Sequence, residues 1–390
     1  MDGGSSRLSA TLHVTHKCNL RCSYCYTGEK SGAGMTASTA DGTVAFLLEE
    51  CKKTGAGDLE LVFFGGEPLR RTDLIYRILD RVQAHAGDIS ISAKLSTNGM
   101  LLTDEMMGQL SRRQVFVSIS VDGDPEVHDL HRQDALGVGT AAQLEAGITT
   151  LLRWNPCANV SMVITPETAD RVDRSVQWLI ERGFSYITPT LDFGSDWSSA
   201  DLGHLESAYE RLADWYVAET LEGRSFYLST FDERIRTHAQ GPPGCEERCS
   251  FGQRQISIAP SGRIYPCVQF VGEDDDLEFV IGHVDTGFDE ERRHVLQTAA
   301  SGDKPECSGC TLQSRCTSWC ACVNWQSTGQ IDRAGPLVCA HERTLIPIAD
   351  RIATRLWKRR NPLFLHKHYN PIFPVLSFVE NLVIQEEMHV

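Results

Sequence analysis

His16-Lys17-Cys18-Asn19-Leu20-Arg21-Cys22-Ser23-Tyr24-Cys25-Tyr26 follows directly on Ala10–Val14, the first strand-like run of this 390-residue chain. Three thiols spaced C-x3-C-x2-C on one short loop suit an iron–sulfur centre, which is normally held by four, so one iron would be left for another ligand. A zinc loop lacking its fourth ligand, or three unrelated cysteines, would give the same spacing. The surrounding pattern matters more. Five further strand-like segments follow: Leu59–Phe64, Ile89–Leu95, Val115–Val121, Asn159–Thr165 and Ser185–Leu191. Each is rich in β-branched or aromatic residues and ends at Gly, Pro, Ser or Thr. Between them run helical patterns, about Thr36–Lys53, Thr72–His85, Asp104–Arg113, Thr140–Trp154 and Glu167–Arg182. Six consecutive βα units predict an α/β fold with a parallel sheet and right-handed crossovers. Six rather than eight predicts a partial (β/α)6 TIM barrel, open on one side. Active sites of such barrels lie on the loops after the strands, where the three cysteines fall.

Composition narrows the function. Lys plus Arg number 37 against 52 Asp plus Glu, for a net charge of −15. Such a surface repels phosphate, so nucleic acid is not expected as a partner. The first six residues lack the basic and apolar regions of a secretory signal, and no run reaches the roughly 18 apolar residues of a membrane span. A cytoplasmic protein with no membrane partner is expected. In that reducing compartment fourteen cysteines point to metal rather than disulfides.

Other strand ends carry chemistry too. Phe64-Gly65-Gly66-Glu67-Pro68 follows the second strand, where the glycines allow close backbone approach and Glu67 can accept from an ammonium group. Ser96-Thr97-Asn98-Gly99 follows the third strand, and Ser118–Gly123, with Ser120 and Asp122, ends the fourth. His128-Asp129-Leu130-His131-Arg132 comes next. With the cysteine loop, these segments resemble the radical S-adenosylmethionine (SAM) superfamily. The resemblance implies that Cys18, Cys22 and Cys25 ligate a 4Fe–4S cluster whose fourth iron chelates SAM. It places Tyr24 near the adenine, the Gly65-Gly66-Glu67 segment at the methionine amino group, and Asn98, Ser120 and Asp122 at ribose and carboxylate. Arg132 would pair with the SAM carboxylate, a task suited to a guanidinium fork.

The chain divides as residues 1–195 for the barrel, 196–244 for a helical bridge containing about Ala200–Leu221, 245–340 for a cysteine-rich segment, and 341–390 for a helix (about Glu342–Arg359) and tail. In the third part Cys249-x12-Gly262-x4-Cys267 is followed by Cys307-x2-Cys310-x5-Cys316-x3-Cys320 and then Cys339, with Cys245 just upstream. This array resembles the SPASM domain of radical SAM enzymes, a small cysteine-rich domain binding two auxiliary iron–sulfur clusters. Carried over, Cys245, Cys249, Cys267 and Cys320 would hold one auxiliary 4Fe–4S cluster and Cys307, Cys310, Cys316 and Cys339 the other, three clusters in all. Cys320-Ala321-Cys322 offers two thiols at one site, and the x3 spacing favours Cys320. Cys51 and Cys157 read as buried small hydrophobes.

The resemblance further implies reductive cleavage of SAM to a 5′-deoxyadenosyl radical. It also implies a ribosomally made precursor peptide as substrate, joined by a thioether or carbon–carbon crosslink, and a flavodoxin- or ferredoxin-type electron donor. Dehydrogenation or rearrangement of a small molecule or cofactor precursor is the alternative. Sulfatase-type formylglycine maturation is disfavoured, because Val268 follows Cys267 where that enzyme has Asp. Asp192 and Asp196, after the sixth strand, are candidate bases, although loop or capping roles are common for such residues. About ten residues precede the first strand, so leader recognition is expected from a separate binding protein, from the SPASM region or from the tail, where Trp357-Lys358-Arg359-Arg360 is basic.

Overall fold

The computed structural model describes residues 7–30, 32–244 and 248–370. The six expected strands are present as β1 (Arg7–His13), β2 (Asp58–Phe64), β3 (Ser90–Thr97), β4 (Val115–Ser120), β5 (Asn159–Ile164) and β6 (Tyr186–Leu191). They lie side by side in sequence order and are all parallel, as right-handed βα repetition requires. Ala10 pairs with Leu61, and Leu61 with Ala93, so one register carries buried side chains across the first three strands.

The helices between them form where the periodicity indicates, because local signals agree with it. Thr36 caps Ala37–Thr54 by accepting from Thr39 N–H at 3.0 Å, and Thr103 caps Asp104–Arg112 by accepting from Met106 N–H at 3.2 Å. The segment expected as one helix from Glu167 begins instead as a 3-10 turn, Pro166–Arg171, and becomes α-helical at Val172–Glu181. The bridge helix runs Ser199–Leu221, opened by a reciprocal Ser198–Asp201 capping box.

The sheet is longer than six strands. A two-residue strand β7 (Tyr227–Leu228) extends it beyond β6, leading into a helix, Ser229–Gln240, that is not among the elements expected from the sequence. On the other edge β8 (Gln255–Ile258) pairs parallel with β1, and β9 (Arg263–Tyr265), β10 (Gly282–His283) and β11 (Gly287–Phe288) follow it antiparallel. One sheet of eleven strands therefore runs from the barrel into the cysteine-rich segment. The physical reason is the exposed edge of β1, which β8 satisfies. Eight parallel strands stand in a row, β8 and then β1 to β7, and β7 does not pair with β8, so the barrel remains open.

The helix Pro336–Lys358 starts earlier than the sequence pattern indicates and brings Cys339 into its first turn, with Leu345, Ile348 and Ile352 buried against the main core. A further helix, Pro362–Tyr369, ends the described chain, and the apolar stretch after Pro371 lies outside it. Cys51 and Cys157 are buried, as expected of small core residues. No helix among the described residues is long and apolar enough to cross a membrane.

Candidate active site and the cysteine-rich segment

The loop bearing the first three cysteines is held from two sides. On one, Gly66 N–H donates to Thr15 O at 2.7 Å and Glu67 N–H to Lys17 O at 2.9 Å. Gly65 has φ 134°, and a Cβ on it would lie 2.3 Å from Thr15 O; a Cβ on Gly66 would lie 2.4 Å from Lys17 O. Only glycine lets these segments run so close. On the other side Arg21 N–H donates to Gln133 O at 2.7 Å and Ser23 N–H to His131 O at 3.2 Å. The His131 ring spans from Ser23 Oγ, 2.7 Å from Nδ1, to Thr165 Oγ1, 2.9 Å from Nε2.

Burial raises the Cys18 thiol and pushes Cys22 up to about 11 against the pull of Arg132. At Cys25 burial acts in the same sense, but the Lys30 ammonium, donating to Sγ at 2.9 Å, outweighs it and lowers the thiol. Cys18 feels the charge of Cys25, and Cys22 that of Cys25 and Cys18. Among the described residues no three His, Cys, Asp or Glu side chains sit tightly enough to share a single metal ion. Three thiols on one short loop suit iron–sulfur ligation, in which separate iron atoms each take a ligand.

Around this loop the expected SAM-contacting residues gather. Glu67 is fully buried; Oε1 accepts from Thr97 Oγ1 at 2.8 Å and Leu69 N–H at 3.0 Å, and Oε2 from Asn98 N–H at 2.8 Å. Burial raises its pKa while these bonds oppose the rise. Asn98 Nδ2 donates to Asn19 Oδ1 at 2.9 Å, beside Cys18. Ser120 closes β4 opposite Ser161. Asp122 is the centre of a buried network: it accepts from both Arg132 arms, from the Tyr24 hydroxyl, and from Val163 N–H at 3.0 Å. Burial disfavours its charge, but Arg132 prevails and holds the carboxyl below its ordinary value. Asp122 is thereby committed to holding Tyr24 and Arg132 in place. Arg132 keeps its Nη1 donors outside that pairing, which a carboxylate could use.

Asp192 accepts from Gly194 N–H at 3.0 Å and Ser195 Oγ at 2.5 Å, the pattern of a turn-forming aspartate, and Asp196 is exposed. Neither bonds to the cysteine loop among the described residues.

The later cysteines assemble in two neighbourhoods. Cys249 is pushed up to about 12 by burial, with Cys320 and Cys267 adding to the rise. Cys322 joins this group: its Sγ lies 3.3 Å from Cys320 Sγ, and hydrogen bonding with Cys267 and Cys320, together with burial, raises it well above its ordinary value. In the second neighbourhood burial raises Cys339, with Cys307 and Cys310 adding to it, and lifts Cys316 to about 11, with Cys339 contributing. Cys245 lies outside the described residues.

Two further features join the site. Tyr26 stacks on Phe64 with ring centroids 6.2 Å apart, keeps 37% of its surface open, and feels the charge of Cys267, Cys25 and Cys322 at its hydroxyl. Burial and these thiols raise its hydroxyl well above the ordinary value. Glu273 Oε1 accepts from Glu29 N–H at 2.8 Å, and the neighbouring Asp274 accepts from the Tyr265 hydroxyl at 2.9 Å. Position next to Cys25 was a signal for Tyr26; nothing local marked Glu273 or Asp274.

A family model described as the radical SAM superfamily matches residues 12–188. The cysteine-type anaerobic sulfatase-maturating enzyme of Clostridium perfringens is 22% identical over 323 residues, covering 78% of this chain and 85% of its own. PqqA peptide cyclase of Gluconobacter oxydans is 24% identical over 375 residues, covering 92% and 96%. The solved structure of native anSMEcpe with bound AdoMet and Cp18Cys peptide shares the fold at 20% identity and a TM-score of 0.74, over 90% of this chain and 99% of that one. Cysteine loop, strand-end motifs and comparisons agree: residues 12–188 are a radical SAM domain, and the chain as a whole is similar to enzymes that include a sulfatase-maturating enzyme and a peptide cyclase.

Proposed function

We propose that this enzyme reductively cleaves SAM and modifies a ribosomally synthesised peptide by a thioether or carbon–carbon crosslink on a side chain or α carbon. The observation that carries the reading is Tyr26. Its hydroxyl lies within electrostatic reach of Cys25 of the first cysteine loop and of Cys267 and Cys322 of the later array, and the residue is partly exposed. A substrate carbon near both cysteine sets would sit beside the radical source, as hydrogen abstraction requires. The gap between β7 and β8 gives a peptide a way in.

When bound, the 4Fe–4S cluster on Cys18, Cys22 and Cys25 supplies the electron that cleaves SAM. The chain's own residues orient the nucleotide: Tyr24 and Arg132 held by Asp122, Asn98 beside Cys18, Ser120 on the rim, and the Gly65-Gly66-Glu67 backbone at the amino group. Two auxiliary 4Fe–4S clusters are assigned to Cys245, Cys249, Cys267 and Cys320, and to Cys307, Cys310, Cys316 and Cys339. A flavodoxin- or ferredoxin-type donor, a separate leader-binding protein and a cytoplasmic setting complete the reading. The names of two relatives, a peptide cyclase and a sulfatase-maturating enzyme, support a peptide substrate. The second of these also favours oxidation of a single side chain to formylglycine, against which Val268 stands.

Anaerobic incubation with SAM, reductant and a co-expressed precursor peptide tests it. Release of 5′-deoxyadenosine with a loss of two hydrogens from the peptide is expected. Loss of two hydrogens together with exchange of sulfur for oxygen on one cysteine, leaving an aldehyde, would move the assignment to formylglycine, and no SAM cleavage would end it.

A further inference from the structure

The cysteine-rich segment contains a cavity of about 470 Å3, walled by Arg248–Gln253, by the helix Glu290–Ser301 with its turn to Lys304, and by the Gln313–Trp319 loop. Its size is that of a pocket for a small ligand or a few side chains, and it is too small for a helix about 10 Å across.

The chemistry of the wall is one-sided. Arg248 and Lys304 bring cationic groups, and Gln253, Gln297 and Gln313 bring amides, while Asp303 is the one carboxylate among the described lining residues. In a protein of net charge −15 this is not an average sample of the surface. Donors in the wall also go unused. Arg248 Nε and Gln297 Nε2 are both buried with no hydrogen-bond partner, a costly state unless an acceptor joins them. Lys304 is 8% exposed, and its ammonium donates to Ala300 O and Gly302 O, each at 3.3 Å, at the C-terminal end of the helix. An ammonium has three protons, so one donor remains; its charge acts on the Cys320 thiol, and it forms no ion pair with a carboxylate among the described residues. The cavity also touches Cys249 and Trp319, the latter adjoining Cys320, so whatever binds there lies beside the first auxiliary cysteine group.

We propose that this cavity is a carboxylate-binding site and that it takes Asp or Glu side chains of the peptide substrate. The assignment of the carboxylates to a peptide rests on the function proposed above. A guanidinium and an ammonium lining one cavity match a carboxylate in charge, and the guanidinium fork matches it in donor geometry. Anchoring an acidic residue here, away from the reacting carbon, is a use of remote binding energy to position the reacting segment.

The test is fluorescence anisotropy on the anaerobically purified holoenzyme with fluorescein-labelled hexaglutamate, and with labelled hexaglutamine as the neutral control. Hexaglutamate is expected to bind at least tenfold more tightly than hexaglutamine. Arg248→Gln and Lys304→Gln are each expected to weaken hexaglutamate binding by about tenfold, within the range of one charged hydrogen bond. Arg351→Gln, on the exposed side of the helix Pro336–Lys358, is expected to change nothing. Equal weakening by Arg351→Gln, unaltered binding in Arg248→Gln, or absence of hexaglutamate binding would overturn the site. Displacement of the probe by free glutarate at matched carboxylate concentration would overturn its assignment to a peptide. Lys304 also caps a helix, so if that variant does not fold, Arg248→Gln carries the test alone. SAM cleavage by the same wild-type preparation separates the two readings: cleavage without hexaglutamate binding removes the carboxylate site and leaves the enzyme function standing.

Discussion

Arg132 grips Asp122 with two parallel bonds, Nε to Oδ2 at 2.9 Å and Nη2 to Oδ1 at 3.1 Å, and both side chains are buried. The Tyr24 hydroxyl donates to the same carboxylate. Three residues from separate strand-end motifs thus form one unit next to the cysteine loop. Removing either charge strands the other in the interior, so Arg132→Met should cost about 3–5 kcal/mol. Arg132→Lys keeps the charge but loses the fork, and should fall between. Urea unfolding of each variant checks this; a cost under 1 kcal/mol for Arg132→Met would show that the pair does not hold the site together.

Gly66 packs on the backbone that leads into Cys18. Gly66→Ala puts a methyl 2.4 Å from Lys17 O, and the loop must shift to relieve the overlap. SAM cleavage should fall by more than tenfold while the iron assigned to the later cysteines is retained, leaving roughly two-thirds of the total. Iron analysis beside a 5′-deoxyadenosine assay reads both, and full cleavage activity would mean that the close approach is dispensable.

Acid should weaken the fold from near neutral pH, through buried histidines. Burial lowers His13 to about 3 and His128 to about 4, below the ordinary 6.5. Above pH 6.5 both are neutral whether the chain is folded or not. Below it the unfolded chain takes up protons that the folded chain refuses, so stability declines from about pH 6.5 downward. The slope is about 1.4 kcal/mol per pH unit for each histidine. His128→Gln should remove one proton's share of that slope between pH 6 and 4.5. Urea midpoints across the range decide it, an unchanged slope counting against the assignment.

Lys367 binds the helix Pro362–Tyr369 to the body of the protein. Its Nζ lies 2.6 Å from Asp232 Oδ1 and donates to Phe226 O at 2.6 Å, and Asp232 also accepts from the Tyr216 hydroxyl at 2.7 Å. Lys367→Met leaves Asp232 charged and buried, at a cost of about 3–5 kcal/mol. Hydrogen exchange should rise in Pro362–Tyr369 first; protection equal to that of the wild type would contradict this.

Cys320→Ala should lose about four iron atoms, the content of one cluster, and Cys322→Ala none. The 3.3 Å contact between their sulfurs makes the pair a sharp comparison. The opposite result would transfer the ligand role to Cys322.

Much of this site can be read from residue order. The βα alternation announces six parallel strands, and four strand-end motifs announce the loops that meet around Cys18, Cys22 and Cys25. Less could be read where signals are short. β8 is four residues long and belongs to the barrel sheet only because β1 offers it an edge. Nothing in Glu273 itself reveals its packing against the first loop, since that contact joins residues 244 positions apart.

What the sequence determined by itself was local and periodic: strand and helix identity, the close-packing glycines, and the thiol spacings that suit iron–sulfur ligation. What only the tertiary structure decided was which side chains use up one another's bonds. Asp122 stands on the nucleotide side by motif, yet its oxygens are taken by Arg132, Tyr24 and Val163. Arg248 is an unremarkable cation by sequence, yet its Nε is buried without an acceptor. Hydrogen-bond satisfaction depends on every group within about 3 Å, and those neighbours come from distant parts of the chain.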